Sequence, residues 1–416
     1  MKKLYAGLAL LCALASSGSM ANEADSWAQA YQFPHFTREY AGCENVALVQ
    51  MKKLFEAQGL PASAYKEMSE SYFEELSAQE LVRPFVQGDS VFIGLNMRWL
   101  GNPICRNPVL LCQPGSKGGC SEISFVSTNE VLRPLWVNGQ AIIAERDNFT
   151  PRNLNPGQPD FVSSSDKGKS WARISSPVSC GDLGTWCRLI PKSALSYFLM
   201  SANLTNDAWT DMAIHATTDG GKSWTLLTGK WKGMHDPSAV SFADDTFVSL
   251  EREPGESVVL SRFKPLESKF EELKTSISTR DWSPRHDGKV RAIEGGYLVR
   301  LNAANDAIPP NQFGVFFVPA AGDPALARLI WQAGGVMIRD FQSSEGMIAI
   351  RTWDPKLMVR RKFAEQIHVS LDVGKTWRVY DVPADLLGGE MLMENRRVWL
   401  FTPGTVKYRD LAAARD

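Results

Sequence analysis

Charged side chains recur along this chain at nearly even intervals. Arg83, Arg133, Arg188, the pair His235-Asp236, the triplet Arg285-His286-Asp287, the pair Arg339-Asp340 and Glu390 follow one another at steps of 47 to 55 residues. A second set, Arg146, Asp147, Glu251, Arg252, Arg300 and Arg351, ends the apolar runs that come after them. A guanidinium presents paired, planar donors that match a carboxylate or phosphate. Gathered in one place, these residues suit an anionic or polyhydroxy ligand, or an acidic protein surface. The mixture of signs supports a second reading, in which Asp and Arg pair with one another and simply solvate one end of the molecule. His235 and His286 are two of only five histidines. No Cys-x-x-Cys and no nearby His pair accompanies them, so neither a metal nor a cofactor is expected.

The elements that would position these residues are repeats. Three segments share one pattern: Ser164-Ser165-Asp166-Lys167-Gly168-Lys169-Ser170-Trp171, Thr217-Thr218-Asp219-Gly220-Gly221-Lys222-Ser223-Trp224 and Ser370-Leu371-Asp372-Val373-Gly374-Lys375-Thr376-Trp377. This is the Asp box, a hairpin signature. Its Asp accepts hydrogen bonds from the turn, its Gly adopts a backbone other residues resist, and its Trp covers the core. Asp166 and Asp219 are 53 residues apart, and Asp219 and Asp372 are 153 apart, or three units of about 51. Weakened copies fall near Ser261 to Phe270 and Phe317 to Ile330. Strand-like runs at Val91-Phe92-Ile93, Ala141-Ile142-Ile143, Tyr197-Phe198-Leu199, Phe247-Val248-Ser249, Tyr297-Leu298-Val299, Met347-Ile348-Ala349 and Val398-Trp399-Leu400 keep the same period. Four short strands fill such a unit, which is a propeller blade. The expected fold is all-β, a seven-bladed β-propeller over 85–416, with six blades as the alternative. The last unit is a strand short, so an N-terminal segment is expected to complete it. Residues 22–84 form a separate, partly helical segment, with helical periodicity from Val46 to about Leu81. The three Asp boxes are read as structural.

The run Arg133-Pro134-Leu135, Gly139, Ile142-Ile143-Ala144-Glu145-Arg146 and the box from Ser164 resembles the first blade of sialidases, and the resemblance extends from Arg133 to the end of the chain. It implies an arginine clamp on a substrate carboxylate, drawn from Arg133, Arg252 and one of Arg360 or Arg361, with Asp147 as acid/base and a Tyr nucleophile. The nucleophile's place, the start of the inner strand after the last box, reads Gly388-Gly389-Glu390-Met391. Tyr197 and Tyr297 are the nearest substitutes, and each is flanked by apolar strand residues. A carboxylate there repels an acidic sugar. The chain therefore reads as a binding protein (an assembly factor, inhibitor or immunity-type protein) without sialidase activity; the alternative is an exo-α-sialidase-type glycosidase. Ligand-binding candidates are Arg133, Arg146, Asp236, Arg252, Arg285, Arg339, Arg360 and Arg361, and no catalytic residue beyond Asp147 is nominated.

Composition bounds the rest. The formal net charge of −1 over 416 residues gives no global pull toward nucleic acid. Met1-Lys2-Lys3, the uncharged run Leu4 to Ala15 and Ser19-Met20-Ala21 read as a secretory signal peptide over 1–21, cleaved before Asn22. The run is too short to span a bilayer, no later stretch is long and apolar enough to do so, and a periplasmic or secreted protein is expected. The partner is expected to be a protein of the cell envelope or an anionic carbohydrate. Beyond Cys12, six cysteines remain, an even number that favours disulfides. Fifteen pairings are open to them. Proximity favours Cys180–Cys187, then Cys112–Cys120, leaving Cys43–Cys105.

Overall fold

The computed structural model describes residues 27–32, 53, 55–59, 61, 63, 81–87, 90–95, 109–112, 120–123, 130–148, 160–180, 185–205, 208–228, 231, 240–243, 245–251, 256–283, 288–303, 313–321, 323–333, 335–359, 362–394, 396–402 and 405–411. Those residues are almost entirely strand. Blade one is β2 (Leu81–Gln87), β3 (Ser90–Leu95), β4 (Val109–Cys112) and β5 (Cys120–Ile123). Blade two is β6 (Glu130–Asn138), β7 (Ala141–Asn148), β8 (Asp160–Ser164) and β9 (Ala172–Ile174). Blade three is β10 (Thr185–Pro191), β11 (Tyr197–Thr205), β12 (Ala208–Thr217) and β13 (Thr225–Thr228). Blade four is β14 (Ser241–Ala243), β15 (Thr246–Leu250), β16 (Ser257–Lys264) and β17 (Lys269–Ser278). Blade five has β18 (Trp282–Ser283) and β19 (Lys289–Ile293) side by side along β20 (Gly296–Ala303), then β21 (Phe313–Pro319) and β22 (Arg328–Ala333). Blade six is β23 (Met337–Ser344), β24 (Met347–Val359), β25 (Lys362–Ser370) and β26 (Arg378–Asp381). Blade seven joins β27 (Glu390–Glu394), β28 (Arg397–Phe401) and β29 (Thr405–Asp410) to β1 (Ala28–Gln32).

Every pairing is antiparallel. The first strands of neighbouring blades pack on one another, β2 against both β6 and β27, and β23 against both β19 and β27. The core follows this geometry. Seven apolar clusters occur among the described residues, one at each seam between adjacent blades. The seam of blades seven and one buries Tyr31, Val91, Ile93, Trp399 and Phe401 together. Seven seams for seven blades means a closed ring, and the six-bladed alternative falls. Each seam forms because a strand's residues alternate between the two faces of its sheet, and both faces meet a neighbour.

The N-terminal segment supplies the missing strand. β1 pairs with β29, Ala28 opposite Tyr408 and Gln32 opposite Thr405. Trp27 donates its indole N–H to the Asp381 carbonyl at 3.2 Å, and the Arg409 guanidinium lies between the Trp27 and Tyr380 rings, 3.9 Å from the centre of the latter. Of the stretch expected to be helical, residues 53, 55–57 and 63 are helical, and the remainder up to 80 lies outside the described residues or in turns. Residues 1–26 also lie outside the described set.

The three repeat hairpins occupy equivalent places, between the third and fourth strands of blades two, three and six. In blade two the Ser164 hydroxyl donates to Asp166 Oδ1 at 2.8 Å and accepts the Gly168 N–H at 2.8 Å, while Ser170 gives its N–H and its hydroxyl to the two oxygens of Asp166. Thr217-Asp219-Ser223 and Ser370-Asp372-Thr376 repeat this arrangement. The Trp224 indole donates to the Ser175 carbonyl at 2.8 Å and Trp377 to the Ile330 carbonyl at 3.0 Å, so each fastens its hairpin to the blade before it. Gly221 and Gly374 sit at φ +86° and +80°, and a Cβ there would meet Ile174 or Ile330 at 2.6 Å. The weakened copies fall at the same place in blades four and five, where the turn after Lys264 and a single 3-10 turn at Pro324–Leu326 replace the Asp-centred loop.

Candidate functional site: the charged mouth of the ring

Antiparallel pairing puts the start of each first strand beside the end of each second strand, at the end of the ring opposite the repeat hairpins. That end carries those of the recurring charged residues that are described, among them Arg133, Arg146, Arg188, Arg300, Arg339, Arg351 and Glu390. In blade six, Arg351 stands opposite Asp340, midway along the long β24. Its side chain is fully buried. Nε donates to Glu365 Oε2 at 2.8 Å, Nη1 to the Gly389 carbonyl at 2.7 Å, and Nη2 to the Leu386 carbonyl at 3.1 Å and again to Glu365. Arg339, more exposed, gives Nη1 to Glu365 Oε1 at 3.1 Å and Nη2 to the Gly388 carbonyl at 2.7 Å. Glu365 Oε1 also accepts the Gly388 N–H. Burial pulls the Arg351 guanidinium below its ordinary pKa while Glu365 acts in the opposite sense, and arginine remains charged at neutral pH. Asp340 accepts the Phe341 N–H at 2.7 Å and the Gln342 amide at 2.8 Å.

These contacts assign a job to the charges of blade six. Arg351, Glu365 and Arg339 clamp the loop that enters blade seven, and Glu390, the first residue of β27, follows that loop with its side chain exposed. In blade two, Arg133 faces Glu145 across the strand pair with a 3.6 Å ion pair, both half-buried. Arg146 and Asp147 lie one and two positions further along β7, opposite Leu132 and Val131. Arg188 of β10 reaches the Val240 carbonyl at 2.8 Å, tying blade three to blade four. Arg300 is buried, its guanidinium 6.0 Å from the Phe313 ring centre. Of the remaining candidates, Asp236, Arg252, Arg285, Arg360 and Arg361 lie outside the described residues, as do His235, His286 and the side chains of Asp147 and Arg83. Among the described residues no cluster of His, Cys, Asp and Glu is placed to hold a metal ion.

Sequence reasoning missed Glu365. Its signal is faint but present: an acid in the middle of a strand whose inward positions are otherwise apolar, with Ile367 and Val369 at the next alternate places. The partner carbonyls of Leu386, Gly388 and Gly389 carry no side-chain signal at all.

The tyrosines have other duties. Tyr197 is buried, gives its hydroxyl proton to the Ala194 carbonyl, and burial raises its pKa. Tyr297 is buried too and accepts from Arg262 Nη1 at 3.3 Å. Both begin second strands, at the end of the ring away from the charged mouth. Tyr380 and Tyr408 stack against Arg409 and Arg397.

One disulfide, Cys180–Cys187, joins the chain leaving blade two to β10 of blade three, inside the seam between them. Cys112 is disulfide-bonded, and it stands directly opposite Cys120 across β4 and β5. Cys43 and Cys105 lie outside the described residues.

Fold and mouth together define a seven-bladed β-propeller with a charged, clamped rim. No protein-family profile matches the sequence, and no curated protein matches it. Solved structures do. A prolyl endopeptidase superposes with a TM-score of 0.51 at 12% identity, covering 78% of this chain and 47% of that one. A Mycobacterium tuberculosis puromycin-hydrolyzing peptidase gives 0.51 at 10% identity, covering 82% and 53%. YCF48 bound to a D1 peptide gives 0.48 at 13% identity, covering 80% and 92%. The chain thus spans about half the length of the peptidases it matches, and at these identities the likeness is one of fold. No helix among the described residues is long and apolar enough to cross a membrane.

Proposed function

We propose that this chain is an exported binding propeller of sialidase-like ancestry, which presents its charged mouth to a protein of the cell envelope or to an anionic carbohydrate and does not hydrolyse it. One observation carries the reading. The place where the sialidase resemblance implies a nucleophile, Gly388 to Met391, opens on backbone that accepts from two arginines, the Gly388 carbonyl from Arg339 and the Gly389 carbonyl from Arg351. A site that spends its guanidinium groups on its own backbone is built for rigidity, and a rigid rim lowers the ordering cost of binding. The placement of Tyr197 and Tyr297 away from the mouth points the same way. The three repeat hairpins, with their Ser/Thr-Asp-Gly-Trp chemistry, are the Asp boxes of this reading, and the leader over 1–21 is its export signal.

The test is turnover of a fluorogenic sialoside by the purified chain, beside an Arg133→Ala control, with binding to immobilised anionic oligosaccharides measured in parallel. The expected result is no turnover above the control, and salt-sensitive binding that Arg133→Ala weakens. Robust turnover that the control abolishes would promote the glycosidase reading and place Asp147 as its acid.

A further inference from the structure

The turn that joins the first strand of a blade to the second carries an acid in three consecutive blades. Glu294 follows β19, Glu345 follows β23 and Glu394 ends β27, at spacings of 51 and 49 residues. First strands of neighbouring blades pack on one another, β19 on β23 and β23 on β27, so the three turns form an arc at the end of the ring away from the charged mouth. Glu294 leans across its seam: its Oε2 lies 3.4 Å from the place that a Cβ on Gly346 would take. Among the described residues, none of the three carboxylates makes a hydrogen bond or an ion pair.

Glu394 differs from the other two in its surroundings. Glu294 and Glu345 are exposed, whereas Glu394 is half-buried. Alternation along β27 turns Met391 and Met393 to the seam with blade six and Leu392 to the seam with blade one. Glu394 shares the side of Leu392 and so lies on the seam that closes the ring. No described cation is spent on it. Val86 and Gln87, at the near end of β2, are uncharged, and Arg83 and Asp89 of blade one lie outside the described side chains. Arg397 stands directly opposite Glu394 on β28, but its guanidinium goes to Asp410 and to the Trp399 and Tyr408 rings. Arg396 is exposed in the turn, and Arg409 lies between Trp27 and Tyr380. Blade six brings Glu345, a like charge, beside the uncharged Gln342, Ser343 and Ser344. Burial pushes the Glu394 carboxyl above its ordinary value, and Glu345 adds to the rise.

A carboxyl held up in this way costs the folded chain stability while it is ionised. The cost fades as pH falls through the folded value toward the unfolded 4.5. Its place decides where the cost is felt, because the seam of blades seven and one depends on β1 finding β29. We propose that Glu394, with Glu345 behind it, makes ring closure tighten in acid: protonation of Glu394 settles the seam of blades seven and one, and ionisation loosens it.

The experiment compares melting temperatures of the full chain, Glu394→Gln and Glu345→Gln from about pH 4.5 to about pH 8. Hydrogen exchange of β2, β27 and β28, corrected for intrinsic rates, accompanies it at both ends of that range. Burial lowers His215 and His368, which weakens folding as pH falls below their unfolded value of 6.5. The readout is therefore the gap between each variant and the parent, in which the histidines cancel. Glu394→Gln should melt above the parent at the alkaline end, by a gap that closes toward the acid end, and Glu345→Gln should do the same to a smaller extent. Parent amides of β27 and β28 should exchange about twofold or more slowly at the acid end, and Glu394→Gln should remove that difference. A Glu394→Gln gap that is absent at the alkaline end or independent of pH overturns the proposal, as does the lack of any gap in Glu345→Gln. A change in protection confined to other blades also overturns it, since the repulsion would then act away from the closing seam.

Discussion

Replacing Glu365 by Ala strips the Arg351 guanidinium of the carboxylate that accepts its hydrogen bonds, while leaving it fully buried. Breaking a buried pair from one side costs about 3 to 5 kcal/mol, because the surviving charge stays desolvated. The carbonyls of Leu386 and Gly389 still accept from Arg351, which places the expectation near the lower figure. Unfolding entropy of about 2.1 cal/mol/K per residue, summed over a ring of about 330 residues, converts this to a drop of about 4 to 7 °C in melting temperature. The diagnostic comparison is Arg351→Met/Glu365→Leu, which removes both charges at similar volume and should cost less than Glu365→Ala alone. Calorimetric melts of the parent, Glu365→Leu, Arg351→Met and the double variant complete a cycle, with Glu365→Ala measured beside them. A loss under about 1 kcal/mol for Glu365→Ala, or a double variant worse than Glu365→Ala, would refute the clamp as the reason for this arrangement.

Three other outcomes are expected. Gly374→Ala should destabilise blade six by more than about 1 kcal/mol, since its φ of +80° and the Ile330 Cβ at 2.6 Å both oppose a methyl group; chemical denaturation measures it. Cys180→Ala/Cys187→Ala should cost about 2 to 3 kcal/mol from the short loop it opens, and thiol labelling of the unreduced parent should leave both residues unmodified. Asp166 and Asp372 are held down to about 2, the first by Ser170 and Ser164, the second by Thr376 and Ser370 acting against burial, and Asp219 is also lowered. Depressed carboxylates contribute fully above their unfolded pKa of 3.8 and lose that contribution as pH falls through about 2. The melting temperature should therefore decline between about pH 4 and 2, and less steeply in Asp166→Asn/Asp219→Asn/Asp372→Asn.

The ring is legible in the sequence because each blade must solve the same packing problem. Apolar runs such as Tyr197-Phe198-Leu199 and Met347-Ile348-Ala349 face two seams at once, so they recur wherever a second strand does. The hairpin Asp residues are legible because their hydrogen bonds are local, spanning four residues or fewer. The mouth is legible only as a list of charges. Whether Arg339 meets a ligand or Glu365 depends on a contact 26 residues away and on the backbone of the next blade, and neither leaves a periodic trace. Blade five departs from the regular unit for a related reason: β18 and β19 share one edge of β20, an interruption that the charge spacing at Arg285 does not reveal.

Blade seven is assembled from both ends of the chain, and the Thr405 hydroxyl bonds the Tyr31 carbonyl across 374 positions of sequence. Six blades can each form from contiguous chain, in the order the ribosome supplies them. The seventh seam cannot exist until the last strands have emerged and found a segment made first. Ring closure thus joins the strands furthest apart in sequence among those described, with the largest loop-closure entropy of their pairings. A chain held open at that stage would expose the apolar faces of blades one and seven, making the interval before closure the period in which it is most prone to aggregate or to be captured by a chaperone.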